Sequence, residues 1–164
     1  QSKARTCDKA VKKLKEKGFL LKGNESDVRN WLAGVRFPNA KAKHVVAARS
    51  IFVDGNTTKI KDKLNGNSHE IREWLVKNVK GLGYKEASHF LRNVGLGFDL
   101  AILDRHILKN LVKYGVIIEV PKSLTTKKYL EIEEKMRGFS DKINIPLAEL
   151  DLLFWSMEAG EVFK

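Results

Sequence analysis

Two residues of this sequence, Lys85 and Asp104, could do covalent chemistry together. Lys85 follows a glycine-containing turn in the stretch VKNVKGLGYKEASHFL, and Asp104 stands 19 positions later, where an apolar periodic segment begins. A deprotonated lysine amine can attack an electrophilic carbon and form a Schiff base, and a fixed carboxylate can stabilise a cation developing beside it. Each residue also has a simpler interpretation: Lys85 as a charge that neutralises a phosphate, Asp104 as a helix N-cap.

The elements that must position this pair are predicted to be helices. Apolar residues recur at helical spacing along nearly the whole chain, so we expect an all-α fold with short loops. The one strand-like run, VIIEV at 116–120, is too short to form a sheet alone. Ser26, Ser68 and Thr125 or Thr126 are predicted helix caps, and the helix after Thr125 is expected to run to about Gly138. The last helix is expected to begin at Pro146, with its inward-facing residues being Leu147, Leu150, Phe154 and Met157.

The charge of the chain points to a polyanionic partner. The net charge is +11, and residues 1–63 contain 16 Lys and Arg against 6 Asp and Glu, whereas residues 64–164 contain 15 against 14. Such an uneven basic surface is typical of nucleic-acid binding, although a solvated lysine-rich surface would give the same composition.

Other classes of protein are excluded by composition. No apolar run approaches the roughly 18 residues that a membrane span needs, and no signal segment opens the chain, so we expect a cytoplasmic, nucleoid-associated protein without membrane contact. The single cysteine, Cys7, excludes a disulfide framework and a cysteine-built iron–sulfur site. The spacing of His89 and His106 does not suggest a metal site.

The turn between 79 and 83 carries a nucleic-acid signature. Gly81 and Gly83 permit a sharp turn and a close approach of phosphate, and the helix that follows offers its unpaired N–H groups and positive dipole end. Leu82 would seat the turn in the core, and Ala87 would let the two helices pack closely. This pattern resembles the helix-hairpin-helix DNA-binding motif, over residues 68–95, with Lys80, Gly81 and Gly83 as the expected DNA contacts. An ordinary αα-hairpin is the simpler alternative.

The stretch GLGFDLAILDRHIL after the hairpin extends the resemblance to helix-hairpin-helix DNA glycosylases, whose fold has two helical lobes around a cleft. Bifunctional members carry a lysine at the position of Lys85 and an aspartate at that of Asp104. The resemblance implies that Lys85 displaces a flipped base through a Schiff base, that Asp104 stabilises the sugar cation, and that β-elimination cuts the strand. Since a free lysine has a pKa of about 10.4, such a site must lower that pKa or assist proton removal.

The tail narrows the resemblance to the type 2 8-oxoguanine DNA glycosylase/AP lyases. The segments that carry it are KGLGYKEASHFLRNVG, AILDRHIL, PKSLTTKKYLEIEE and LAELDLLFWSMEAGEVFK. It implies that Lys164 distinguishes 8-oxoguanine from guanine through its terminal carboxylate and that Trp155 is a pocket aromatic. Core packing for Trp155 and a frayed end for Lys164 are the alternatives. Residues 1–164 are expected to form one glycosylase domain, without a helical segment that the family carries before the position of Gln1.

The resemblance also sets expectations for cofactors and partners. It requires no cofactor, but backbone carbonyls of Lys77, Val79 and Leu82 are expected to bind a structural monovalent cation. The expected partner is double-stranded DNA containing 8-oxoguanine, bound by a monomer. Two alternatives stay open: a non-catalytic helix-hairpin-helix DNA-binding module, and a glycosylase of the same fold acting on another oxidised base.

Overall fold

A computed structural model describes residues 4–55 and 57–159 of the chain. The described residues are mostly helical, which confirms the predicted all-α class. The α-helices are α1 Ala4–Glu16, α2 Glu25–Asn30, α3 Pro38–Phe52, α4 Ser68–Asn78, α5 Tyr84–Asn93, α6 Arg105–Lys113, α7 Thr126–Ile143 and α8 Leu147–Ala159. No described helix has the length and apolarity that crossing a bilayer requires.

The chain divides into two compact units, of which the first contains residues 1–65 and 77–81. Its core lies between α1, α2, α3 and the loop at 32–35, and its buried apolar residues are Ala10, Leu14, Val28, Leu32, Val35 and Ala42. Arg49 of α3 holds the loop after α1, because its guanidinium donates to the carbonyl oxygens of Phe19, Leu20 and Gly23. One side chain thereby satisfies three carbonyls that lie outside any helix.

The second unit contains residues 66–76 and 82–164. Its core is built mainly by α6, α7 and α8, and its buried apolar residues are Ala101, Leu103, Ile107, Leu108, Leu111, Ile117, Tyr129, Ile132, Met136, Leu147, Leu150 and Phe154. Tyr114 stacks on Phe154 with ring centroids 5.4 Å apart. The charged groups buried in this unit are Arg72, Glu133 and Asp151.

Several helix boundaries differ from those predicted. The N-cap of α2 is Asn24, whose side chain accepts from Asp27 N. In return, Asn24 N donates to the carboxylate of Asp27. Ser26, the predicted cap, therefore lies inside the helix. Asn67 Oδ1 accepts from Glu70 N at 2.9 Å, which makes Asn67 rather than Ser68 the cap of α4. In both cases an asparagine placed earlier in the chain supplies the side-chain oxygen that reaches the third amide of the helix.

The later elements also depart from expectation at specific points. Thr125 caps α7 as predicted, but the helix continues past Gly138 to Ile143, and its C-cap Asn144 has a left-handed backbone. Met157 is 47% exposed, although it was expected to face inward. No strand forms at 116–120. The strands of the described residues are β1 Val53–Asp54 and β2 Thr57–Thr58, which pair in antiparallel register.

Candidate active site

The predicted hairpin is present, with α4 and α5 joined by residues 79–83. Gly81 has a φ of +90°, and a Cβ atom there would overlap the imidazole of His44 on α3. Glycine is therefore required at position 81 both by the backbone and by space. Gly83 differs, because its φ is −89° and its backbone is extended, a conformation open to any residue. Because glycine has no side chain, Gly83 leaves the first N–H groups of α5 without a side-chain cap.

The N-terminus of α5 is open to an anion. Gly83 is the N-cap residue and provides no side-chain hydrogen bond to the first turn. The first N–H groups of a helix have no partner within the helix, and the helix dipole places partial positive charge there. The side chain of Lys80 is exposed just before this turn. Free N–H groups at a helix N-terminus are a common binding site for phosphate.

Lys85 lies in the first turn of α5. Its side chain is 28% exposed, and Nζ lies 3.7 Å from Glu86 Oε1. The opposite face of α5 is fixed in the unit, since Ala87, Ser88 and Leu91 are fully buried. The helix is thus anchored while the amine remains reachable by a substrate.

Asp104 is the N-cap of α6, as its simpler interpretation predicts. Its Oδ1 atom accepts from His106 N at 2.7 Å and from Ile107 N at 2.9 Å. Both capping hydrogen bonds use the same oxygen, and no described hydrogen bond engages Oδ2. Capping and catalysis therefore do not compete, because one oxygen holds the helix and the other is available to stabilise a cation.

The charges of both candidate catalytic residues influence the pKa of His89. It lies one helical turn after Lys85 on α5, and desolvation of its ring is the main cause of a lowered pKa. The positive charges of Lys85 and Arg92 lower that pKa further, whereas the carboxylate of Asp104 acts in the opposite direction. Lys85 and Asp104 are therefore both within electrostatic range of one imidazole. The lowered pKa keeps this imidazole neutral at pH 7.

A buried acid behind the site escaped the sequence analysis. Asp151 of α8 is 4% exposed, and its Oδ2 accepts from Arg92 Nη2 at 3.1 Å and from Ile102 N at 3.0 Å. Burial raises the pKa of Asp151 to about 7, and the charge of Asp104 adds to the rise. The sequence feature that could have revealed Asp151 is its position among the inward-facing apolar residues of α8, between Leu150 and Phe154. Glu133, next to Ile132 on the buried stripe of α7, gave the same signal.

The remaining predicted site residues are placed as follows. Trp155 is half-buried against the core of the second unit, and Lys164 lies outside the described residues. Lys77 lies in the last turn of α4, and Val79 and Leu82 lie in the connection between α4 and α5. No cluster of three or more His, Cys, Asp or Glu that could hold a metal ion occurs within residues 4–55 and 57–159.

A hairpin with an open helix N-terminus, followed by a lysine and an N-capping aspartate, defines the class of helix-hairpin-helix DNA glycosylases. The family model described as 8-oxoguanine DNA glycosylase matches residues 1–145 of this chain. The chain belongs to the 8-oxoguanine DNA glycosylase family.

Individual relatives agree with this assignment. An 8-oxoguanine DNA glycosylase/AP lyase of Fusobacterium nucleatum is 50% identical over 166 residues, which cover 100% of this chain and 76% of that protein. A protein of the same name from Methanocaldococcus jannaschii is 45% identical over 150 residues, covering 90% of this chain and 69% of the relative. A crystal structure of M. jannaschii 8-oxoguanine glycosylase/lyase in complex with a 15mer DNA containing 8-oxoguanine superposes with a TM-score of 0.85. It is 39% identical, and the match covers 98% of this chain and 75% of that one.

Proposed function

We propose that this chain is a bifunctional DNA glycosylase/AP lyase that excises 8-oxoguanine from duplex DNA through a Schiff base at Lys85. The observations that carry the proposal are a partly exposed lysine in the first turn of α5 and an aspartate that caps α6 through one carboxylate oxygen only. Family membership supports the reaction class. The M. jannaschii relative, crystallised with DNA containing 8-oxoguanine, supports the substrate.

DNA binding is assigned to the hairpin and to the basic first part of the chain. The open amides of α5, the turn glycines Gly81 and Gly83, and the ammonium of Lys80 would bind phosphates next to the lesion. A monovalent cation held by the carbonyls of Lys77, Val79 and Leu82 would add positive charge at the same turn. The target nucleotide must leave the base stack, because its C1′ atom is unreachable within the duplex.

Base release is assigned to Lys85 and Asp104. After the ammonium of Lys85 has given a proton to solvent, its amine forms a bond to C1′ as the bond between C1′ and N9 breaks. The base leaves with the electron pair of that bond and takes up a proton. Positive charge develops on the deoxyribose in this step, and the free Oδ2 of Asp104 stabilises it. The nitrogen lone pair then forms the imine at C1′ as the bond between C1′ and O4′ breaks, and O4′ takes up a proton as the sugar ring opens.

Strand cleavage follows from the imine. Loss of a proton from C2′ allows the bond between C3′ and its oxygen to break, and the 3′-phosphate leaves with that electron pair. Water then hydrolyses the imine and restores the amine of Lys85. The proposal adds no cofactor to these steps.

Recognition of the oxidised base is assigned to Trp155 and Lys164. 8-Oxoguanine carries an N7–H donor where guanine has an acceptor, so a buried acceptor such as the terminal carboxylate of Lys164 would favour the oxidised base. Trp155 would stack on the flipped base. The proposed enzyme acts as a monomer and is located in the cytoplasm with the nucleoid.

Borohydride trapping tests the proposal. The protein is incubated with sodium borohydride and a duplex containing one 8-oxoguanine, beside an undamaged duplex and a duplex with an oxidised pyrimidine. We expect a covalent complex with 8-oxoguanine that is lost in Lys85→Gln and kept in Lys142→Gln, which removes the same charge from an exposed position. Trapping only on the pyrimidine lesion would establish a different substrate. No trapping together with intact DNA binding would establish a binding module.

A further inference from the structure

The segment that leads into Asp104 is held by side chains rather than by secondary structure. Residues 101–104 belong to no helix or strand, yet Ala101 and Leu103 are buried. Buried N–H groups without a partner destabilise a fold by about 1–3 kcal/mol each, so this segment must find acceptors elsewhere. Its own backbone supplies one short-range bond, from Asp104 N to Ile102 O at 2.7 Å.

Three consecutive amides of this segment bind three different side chains. Ala101 N donates to Glu133 Oε1 at 2.8 Å, and Ile102 N donates to Asp151 Oδ2 at 3.0 Å. Leu103 N donates to the hydroxyl of Tyr129 at 3.3 Å, and that hydroxyl donates to Ala101 O at 2.7 Å. All three acceptor residues are almost fully buried, with exposures of 2–4%.

The same acceptors are tied to the helix that carries Lys85. Arg72 donates to both carboxylate oxygens of Glu133, at 2.6 and 2.8 Å, and to the hydroxyl of Ser88 on α5 at 3.2 Å. Arg92, also on α5, donates to Asp151 Oδ2 at 3.1 Å.

Two further contacts complete the connection between α5 and the segment. Arg92 Nη2 donates to Leu100 O at 2.6 Å. The ring of Tyr129 packs on that of Tyr84, the residue before Lys85, with ring centroids 5.4 Å apart.

We propose that Tyr129, Glu133 and Asp151 are positioning residues that fix Asp104 relative to Lys85. The inference rests on the proposed function, in which Asp104 stabilises the sugar cation. A buried hydrogen-bond network permits little displacement, although Arg72 Nε and Asp151 Oδ1 have no partner within it. A catalytic group misplaced by about 1 Å can lose about 10²-fold in rate. None of the three residues needs to touch the substrate.

Tyr129→Phe is the sharpest test, because it removes only the hydroxyl and keeps the ring against Tyr84. We expect single-turnover base release to fall at least ~10-fold while the affinity for damaged duplex stays unchanged. The control is Ile132→Val, which removes one buried methyl group of α7 and none of the bonds to the segment. It is expected to lower the melting temperature while keeping the wild-type rate.

A double-mutant cycle separates positioning from general destabilisation. If Tyr129 acts through Asp104, Tyr129→Phe adds nothing to the slow rate of Asp104→Asn, so the two effects are not additive. Additive effects, or a wild-type rate in Tyr129→Phe alone, would overturn the inference. A wild-type rate in Asp104→Asn would instead overturn the proposed function, so the two failures are distinguishable.

Discussion

Replacing Asp104 by asparagine separates the two roles that its carboxylate combines. Oδ1 receives both capping hydrogen bonds, from His106 and Ile107, and an amide oxygen can receive the same two bonds. The variant therefore loses only the favourable interaction between the carboxylate and the helix dipole. That interaction contributes about 0.3–1 kcal/mol, so the free energy of unfolding should fall by no more than about 1 kcal/mol.

The effect on catalysis should be much larger. Oδ2 has no hydrogen-bond partner among the described residues, so it is the oxygen that can face positive charge on the sugar. Removing one preorganised electrostatic group from an active site commonly slows the chemical step by about 10²–10³-fold, or ~2.7–4 kcal/mol. The predicted loss of rate therefore exceeds the predicted loss of stability by at least twofold in free energy.

Two measurements on the same preparations test this prediction. Urea denaturation gives the free energy of unfolding, and single-turnover excision with excess protein gives the chemical rate without product release. Asp104→Ser is a useful companion, because serine caps a helix as well as aspartate but has no carboxylate. Wild-type rates in both variants, with whatever loss of stability they show, would refute the catalytic role and leave Asp104 as a cap.

Three other predictions concern Gly81, Asp151 and Lys164. Gly81→Ala should lower the free energy of unfolding, measured by urea denaturation, by about 1–3 kcal/mol, because alanine is strained at a φ of +90° and its Cβ meets His44. Gly83→Ala should lower the free energy of unfolding by less, because the backbone there is extended. Equal losses in the two variants would contradict this prediction. The pKa of Asp151 is about 7 in the folded state, against an ordinary value of 3.8 for the carboxyl of an unfolded chain. Between these two values the folded state binds a proton that the unfolded state has lost. The contribution of Asp151 to stability therefore falls as the pH rises from 4 to 7. Relative to Asp151→Asn, the wild type should lose on the order of 4 kcal/mol over that range, and a constant difference would be inconsistent with the buried acid. Deleting Lys164 should narrow the ratio of excision rates for 8-oxoguanine over guanine, and an unchanged ratio would exclude its role in recognition.

Local sequence signals predicted much of the site, because the hairpin is a local structure. A glycine with a left-handed backbone at position 81, an open helix N-terminus after Gly83 and an N-cap at Asp104 all follow from neighbours in the chain. The helical class followed from apolar spacing in the same way. These features need no knowledge of which helices pack together.

The supporting network could not be predicted, because it depends on long-range pairing. Arg72 and Glu133 are 61 positions apart, and Ile102 and Asp151 are 49 apart. Only the acids on the apolar stripes of α7 and α8 signalled that buried partners must exist, without saying which ones. Helix ends were missed for a different reason: Asn24 and Asn67 compete with nearby serines as caps, and sequence alone does not rank them.

The residue that carries the covalent adduct can be identified by mass spectrometry. The protein would be trapped with borohydride on a duplex containing 8-oxoguanine, digested with nuclease and a protease, and sequenced by tandem mass spectrometry. We expect the reduced sugar fragment to be attached to Nζ of Lys85 and to no other amine. An adduct on another lysine or on the N-terminal amine, with Lys85 unmodified, would contradict it.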